Sequence, residues 1–100
     1  EKVFPEEVEE VLKTHPQVRD AVVVGVPDEK FGEAITGVVE LAPGGSLAPT
    51  DLIAHVKGLL AHYKAPKNVL FVDTIGRAPN GKVDYKRAKA HALDELGIDA

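Results

Sequence analysis

The sequence contains no cysteine and no methionine, and no apolar run approaches the roughly 20 residues that a membrane-spanning helix needs. Without cysteine, the chain has no disulfide framework and no thiolate for nucleophilic or redox chemistry. Neither a signal-peptide pattern nor a lipidation motif is present. These absences exclude a disulfide-stapled scaffold and a membrane span, and they lead us to expect a cytoplasmic protein.

The missing methionine also bears on the extent of the chain. The first residue is Glu1, which is bulky enough that an initiator methionine before it would normally be retained. We therefore expect this chain to be part of a longer polypeptide. Its 100 residues, 44% of them hydrophobic, suit a single domain over residues 1–100 with a core but no deep substrate cavity of its own.

The net charge of −4 conceals an uneven distribution of charged residues. Residues 1–60 hold eleven acidic and five basic side chains, whereas residues 64–89 hold seven basic and two acidic ones. The acidic part argues against a nucleic-acid-binding protein. The basic part is suited to attracting a small anion such as a phosphorylated ligand. A solvated helix face remains an equally open interpretation for Lys86, Arg87 and Lys89.

The spacing of apolar residues predicts three helices and three strands in the order α-β-β-α-β-α. The helices are predicted over residues 5–14, 49–60 and from a cap at Asp84 to about residue 96, and the strands over residues 18–26, 33–41 and 68–72. The first two strands are expected to pair antiparallel, and the third to lie parallel to one of them after a helical crossover. The predicted fold class is therefore α+β: a small three-stranded mixed sheet, an antiparallel hairpin plus one crossover strand, flanked by helices.

Residues 77–82, with the sequence RAPNGK, place a lysine on a Pro/Gly loop directly after the third predicted strand. With Gly76 the segment also reads G-x-x-x-x-G-K, the pattern of a phosphate-binding P-loop. That interpretation fails because Val83 has no hydroxyl for Mg²⁺, Pro79 has no N–H, and only 17 residues follow Val83. Lys82 is instead predicted to be a cation that meets an anion supplied from outside this chain.

The other residues that could act in catalysis or metal binding, two acidic residues and the four histidines, are interpreted as structural. Asp28 and Glu33 lie in the connection between the first two strands and are predicted to cap its turn rather than act as an acid–base pair. No metal site is predicted, because the histidines show no ligand-like spacing. All four are interpreted as surface or helix-end residues: His15, His55, His62 and His91.

Four segments follow one another along the chain: residues 4–9 (FPEEVE), 23–33 (VVGVPDEKFGE), 63–67 (YKAPK) and 77–82 (RAPNGK). In this order and spacing, they resemble the C-terminal domain of AMP-forming acyl-CoA synthetases, whose superfamily also includes peptide-synthetase adenylation domains and luciferases. The run over residues 81–89 is most similar to bacterial fatty-acyl-CoA synthetases. The lysine loop departs from the commonest family form, which has Pro and Thr where this chain has Gly76 and Ala78.

The resemblance implies a lid domain that closes, in two orientations, over a large N-terminal adenylation domain of the same chain. That domain would bind ATP with Mg²⁺ and a fatty acid. Lys82 would reach the carboxylate and the α-phosphate during adenylation, with Arg77 and Gly81 positioning its loop. After rotation, the lid would present part of the CoA-binding surface, implied at Lys57 and Lys64. The lid would hold no cofactor and would be inactive alone.

The resemblance also implies that an acetyltransferase and a deacetylase act on Lys82, since acetylation removes the charge of the family's lysine. Two alternatives remain open. One is the lid of an adenylation domain that loads a carrier protein, as in peptide synthetases and fatty-acyl-AMP ligases. The other is a non-catalytic interaction module that binds an acidic partner.

Overall fold

The computed structural model describes residues 3–99 and places three α-helices and three strands in them. In chain order they are α1 (Pro5–Lys13), β1 (Val18–Asp28), β2 (Gly32–Leu41), α2 (Pro49–Lys57), β3 (Asn68–Val72) and α3 (Tyr85–Leu96), with a 3₁₀ turn at His62–Lys64 before β3. The predicted element order and fold class are confirmed.

The sheet has the strand order β1-β2-β3, so β2 is central. β1 pairs with β2 antiparallel, with Val23 opposite Gly37, and β3 pairs with β2 parallel, with Leu70 opposite Val38. The predicted hairpin and parallel crossover strand are therefore confirmed. Because β2 and β3 run the same way, the β1–β2 hairpin lies at the end of the sheet where β3 begins, and the segment after β3 lies at the opposite end.

Both faces of the sheet are covered, and β1 shows why its valine run is almost continuous. Ala21 and Val23 pack in a core shared with α1 and α2. Val22 and Val24 pack in a second core shared with α3. Since successive strand side chains point to opposite faces, only a run that is apolar at every position fills both cores. The result is three layers, with two helices on one face and one on the other.

Two element boundaries differ from the prediction by more than one residue. α2 ends at Lys57 rather than near residue 60, because the chain turns at Gly58 and leaves the side chain of Leu59 58% exposed. β1 runs on through Pro27 to Asp28. β1 is an edge strand. Val23, which lies four residues before Pro27, directs its N–H away from β2 to the side chain of Glu9 on α1. By the two-residue period, Pro27 occupies an equivalent outward position and costs the ladder no hydrogen bond.

The connection between β1 and β2 is closed by a side chain, as predicted for Asp28. Its Oδ2 accepts a hydrogen bond from the N–H of Phe31 at 3.0 Å, and Gly32 adopts a left-handed conformation with φ of 78°. The carboxyl group of Glu33 lies elsewhere, over the backbone of Gly25, where a Cβ atom would collide with it. The turn-capping prediction is thus correct for Asp28 and wrong for Glu33.

None of the described helices is long and apolar enough to cross a membrane.

Candidate functional site: the lysine loop

The lysine loop, residues 76–82, leaves the sheet after β3 and is closed by its own hydrogen bonds. The N–H of Gly81 donates to the carbonyl of Ala78 at 2.8 Å, and the N–H of Ala78 donates to the carbonyl of Lys82 at 3.0 Å. Asn80 Oδ1 accepts a third bond from the N–H of Lys82 at 3.0 Å. Gly81 has a φ of 83°, in the left-handed region that favours glycine. Turn chemistry therefore defines the shape of this loop.

Arg77 joins the loop to the sheet. Its Nε donates to Asp20 Oδ2 at 2.7 Å and its Nη2 donates to Asp20 Oδ1 at 2.9 Å, which makes a two-pronged pair with β1. Its Nη1 donates to the carbonyl of Gly81 at 2.9 Å, immediately before Lys82. The hydrogen bonds from Arg77, together with the one from the N–H of Ala21, hold the pKa of Asp20 below its usual value despite partial burial.

Two further carboxylates hold the segments on either side of the loop. Glu40 Oε1 on β2 accepts from the N–H of Ile75 at 2.8 Å. Beyond the loop, the hydroxyl of Tyr85 donates to the buried carboxylate of Glu9 on α1, at 2.9 Å to Oε2. The same Oε2 accepts from the N–H of Val23 on the edge strand at 2.8 Å. Burial, followed by the bond to Glu9, raises the pKa of Tyr85 to about 12. α1, β1 and β2 thus each contribute one carboxylate to this region.

The side chain of Lys82 is exposed at the tip of this mounted loop. Within residues 3–99, its ammonium group makes no hydrogen bond and no ion pair. The cation is therefore free to meet an external anion, which an internal ion pair would have prevented.

The other two predicted binding residues lie away from this loop. Lys57 is the last residue of α2, is exposed, and has no ion-pair partner in the described part of the chain. Lys64 Nζ lies 2.8 Å from Glu7 Oε1 and 5.9 Å from the ring centre of Tyr63. Lys64 precedes β3 and the loop follows it, so the five residues of β3, about 17 Å at ~3.3 Å per residue, separate them.

The end of the sheet opposite the lysine loop carries a second basic and aromatic surface. Phe31, at the β1–β2 connection, is 66% exposed, and the ammonium groups of Lys30 and Lys67 lie 5.3 and 5.9 Å from its ring centre. Lys67 also pairs with Asp28 at 2.6 Å. An open cleft of about 720 Å³ adjoins them. The domain therefore presents cations at both ends of its sheet.

The histidines form no metal centre. His15 and His55, distant in sequence, contact each other edge to face with ring centres 5.1 Å apart, a pairing that the sequence did not indicate. Both rings are hydrogen-bonded locally: His15 Nδ1 accepts from the N–H of Gln17, and His55 Nε2 lies 2.8 Å from Thr14 Oγ1. Over residues 3–99, no group of three or more histidine, cysteine or acidic side chains could hold a metal ion.

Comparison with known sequences identifies the family. The sequence model described as "AMP-binding enzyme C-terminal domain" matches residues 7–82. The chain belongs to the AMP-binding enzyme C-terminal domain family. The resemblance inferred from the four segments is thereby confirmed, and the match extends from α1 to Lys82 itself.

Similar proteins are named as acyl-CoA ligases. The 3-oxocholest-4-en-26-oate–CoA ligase of Rhodococcus rhodochrous is 53% identical over 98 residues, which are 98% of this chain and 17% of that protein. The medium/long-chain-fatty-acid–CoA/3-oxocholest-4-en-26-oate–CoA ligase of Mycobacterium tuberculosis is 48% identical over 89 residues, 89% of this chain and 16% of that protein. The chain thus spans less than a fifth of these relatives.

Comparison with solved structures supports the same family assignment. A Mycobacterium tuberculosis fatty acyl CoA synthetase superposes with a TM-score of 0.85 at 32% identity, over 95% of this chain and 19% of that one. The amide bond synthetase McbA from Marinactinospora thermotolerans superposes with a TM-score of 0.84 at 40% identity, over 89% of this chain and 18% of that one. The three-layer arrangement is therefore shared with a part of each of these two enzymes.

Sequence reasoning found the lysine loop of this family member but missed the carboxylates that hold it. Asp20 and Glu40 are acidic residues that each adjoin a run of apolar strand residues, and Glu9 lies on the buried face of α1. A charged side chain in such a position is rarely buried without a partner. That signal was available in the sequence, but it does not identify the partner.

The pair between Asp20 and Arg77 predicts a pH dependence of stability. Because the folded-state pKa of Asp20 lies below 3.8, its stabilising contribution is present above that pH and is lost as pH falls through the folded pKa. Asp20→Asn should therefore flatten the acid limb of a plot of unfolding midpoint against pH, measured by circular dichroism from pH 7 to pH 2. Parallel acid limbs for the two proteins would contradict this assignment.

Proposed function

We propose that this chain is the C-terminal lid of an ATP-dependent, AMP-forming ligase that joins a fatty acid to CoA. The observation that carries the proposal is Lys82: an exposed ammonium, without a partner among residues 3–99, on a loop fixed to the sheet by Arg77. The relatives named as fatty-acid and steroid-acid CoA ligases support this reaction class. Because those relatives are more than five times as long as this chain, the proposal assigns ATP and acid binding to an N-terminal domain of the same protein.

In the first half-reaction, a carboxylate oxygen attacks the α-phosphorus of ATP and pyrophosphate leaves. Two anions approach each other, and negative charge gathers on the phosphoryl oxygens in the transition state. An ammonium already in place, in a site closed to water, stabilises that charge and reduces the repulsion. Lys82 is suited to this task because no acceptor in the described part of the chain has to release it first. We assign Mg²⁺ to the phosphates of ATP, since the described residues of the lid offer it no ligand cluster.

In the second half-reaction, the CoA thiol attacks the acyl carbonyl and AMP leaves. The lid would serve this step through the opposite end of its sheet, after a rotation that withdraws Lys82. A cation and an exposed aromatic ring at that end, Lys30 and Phe31, suit the phosphates and adenine of CoA. Of the two residues predicted for this role, Lys57 is better placed than Lys64, whose ammonium already pairs with Glu7.

The exposure of Lys82 also makes it accessible to a modifying enzyme. Acetylation would remove its charge and leave an amide on the same loop, which should stop adenylation without unfolding the lid. We therefore retain Lys82 as the proposed target of a lysine acetyltransferase and a deacetylase. Because ATP, CoA and these enzymes share the cytoplasm, we place the protein there.

The test of the proposed function is to assay the full-length protein for its two half-reactions. We expect exchange of pyrophosphate into ATP that depends on an added fatty or steroid carboxylic acid, and release of AMP with thioester formation when CoA is supplied. Absence of acid-dependent exchange would reject the proposal. Acyl transfer to a phosphopantetheine carrier protein in place of CoA would reject the CoA assignment while keeping adenylation. Transfer to an amine, the reaction that the name amide bond synthetase implies for McbA, would do the same.

A further inference from the structure

We propose that Asp20 is a positioning residue for the adenylation step, acting on Lys82 through Arg77 and the carbonyl of Gly81. The inference rests on the proposed function of Lys82. It adds a role for Asp20, which lies 57 positions before its partner Arg77 in the sequence. Asp20 Oδ1 and Oδ2 accept bonds from Nη2 and Nε of Arg77, and Nη1 of the same guanidinium donates to Gly81. A planar group bound on two edges transmits the position of β1 to the peptide that carries Lys82.

The internal hydrogen bonds of the loop cannot perform this task. The bonds between Ala78 and Gly81 and between Ala78 and Lys82 join parts of the loop to one another, so they define its shape but not its direction relative to the sheet. The direction depends on bonds that leave the loop. The bond from Ile75 to Glu40 lies seven residues before Lys82, whereas the bond from Arg77 ends one residue before it. Among the described residues, Asp20 is therefore the sheet residue with the shortest hydrogen-bonded connection to the lysine.

Asp20 is itself well fixed. The pairing of β1 with β2 shifts register between Val18 and Asp20, and such irregularities turn a side chain away from the regular alternation. Oδ1 also accepts the N–H of Ala21 at 2.9 Å, which orients the carboxylate along the strand edge. The side chain is only 17% exposed. A strand residue anchored in this way is a firmer support for a loop than another loop would be.

The expected consequence is a loss confined to one half-reaction. Misplacing a catalytic group by about 1 Å costs up to ~10² in rate, and Asp20→Asn keeps the side-chain size while removing the charge and one acceptor. We expect its rate of acyl-adenylate formation to fall about tenfold, with the KM values for ATP and acid and the rate of thioester formation from supplied acyl-adenylate within about twofold of the wild type.

The experiment compares, in the full-length protein, Asp20→Asn, Arg77→Gln, the double variant and Lys82→Ala, with Glu10→Gln as a control on an exposed helix pair with Lys13. If Asp20 acts through Arg77, the double variant should be no slower in adenylation than Arg77→Gln alone. Arg77→Lys is a second variant for the case that Asp20→Asn folds poorly: it keeps the charge but cannot hold Asp20 and Gly81 together, and it should show the same selective loss.

Three outcomes would overturn the inference. The first is an unchanged adenylation rate in Asp20→Asn, and the second is an equal loss in both half-reactions, which would indicate a merely structural role. The third is multiplication of the Asp20 and Arg77 effects in the double variant. If Lys82→Ala retains adenylation, the proposed function itself fails. If Lys82→Ala loses adenylation while Asp20→Asn does not, only the Asp20 assignment fails.

Discussion

Lys82→Ala in the full-length protein is expected to slow acyl-adenylate formation by about 10²–10³-fold, the usual cost of removing one preorganised donor from a developing oxyanion. The ammonium has no partner within residues 3–99, so its removal breaks no bond of the folded domain, and the unfolding midpoint should stay unchanged. The rate is measured as acid-dependent exchange of pyrophosphate into ATP. Thioester formation from supplied acyl-adenylate and CoA should be nearly normal, because the proposed rotation of the lid withdraws the lysine before that step.

Matched substitutions separate charge from position. Lys82→Gln, which mimics the acetylated side chain, should lose as much as Lys82→Ala, whereas Lys82→Arg should lose less because it keeps a positive charge in a different shape. Lys89→Ala removes an exposed lysine of the same basic stretch from α3 and should leave both half-reactions unchanged. If Lys82→Ala slows the two half-reactions equally, or if Lys89→Ala is as damaging, Lys82 has no specific role in adenylation.

The elements that could be predicted from the sequence are those whose signals are local. The strand at Asn68–Val72 is bounded by Pro66 before it and Asp73 after it, and the prediction matched its ends. The last helix was placed correctly because Asp84 caps it through the N–H of Arg87. Local signals failed at α2, where helical spacing continues to residue 60 but the chain leaves the helix after Lys57.

The lysine loop likewise has one part that local sequence predicts, its closure, and one part that it does not, its attachment to the sheet. Its closure depends on Pro79, Asn80 and Gly81, which are neighbours in sequence, and it was recognisable as a presented cation. Its attachment depends on Asp20, 57 residues from Arg77, and on the register of β1 against β2. No periodicity in the sequence encodes that register shift, so the partner of Arg77 could not be predicted. The residues that shape the loop around Lys82 are thus neighbours in sequence, whereas the residue that orients the loop relative to the sheet is brought to it by the tertiary structure.

Glu9 provides the strongest test of that tertiary structure. Glu9→Ala is expected to lower the free energy of unfolding by about 2 kcal/mol, since the buried N–H of Val23 loses its acceptor at about 1–3 kcal/mol, while the hydroxyl of Tyr85, a residue that is 44% exposed, can bond to water instead. The N–H of Val23 would be left unpaired on the edge strand, and the hydroxyl of Tyr85 would lose its link from the start of α3 to α1. Urea unfolding followed by circular dichroism measures the change.

Two controls make the prediction specific to the hydrogen bonds. Glu9→Gln keeps an oxygen for Val23 and should cost less than half as much, and Glu10→Ala, on the exposed side of the same helix, should cost at most about 0.5 kcal/mol. A second readout is the ionisation of Tyr85, whose pKa is raised to about 12 first by burial and then by Glu9. In Glu9→Ala the tyrosinate absorbance should therefore appear at lower pH while remaining above the ordinary value of 10. If Glu9→Ala were as stable as Glu10→Ala and left this titration unchanged, the carboxylate would not be what joins α1 to the edge strand and to Tyr85 at the start of α3.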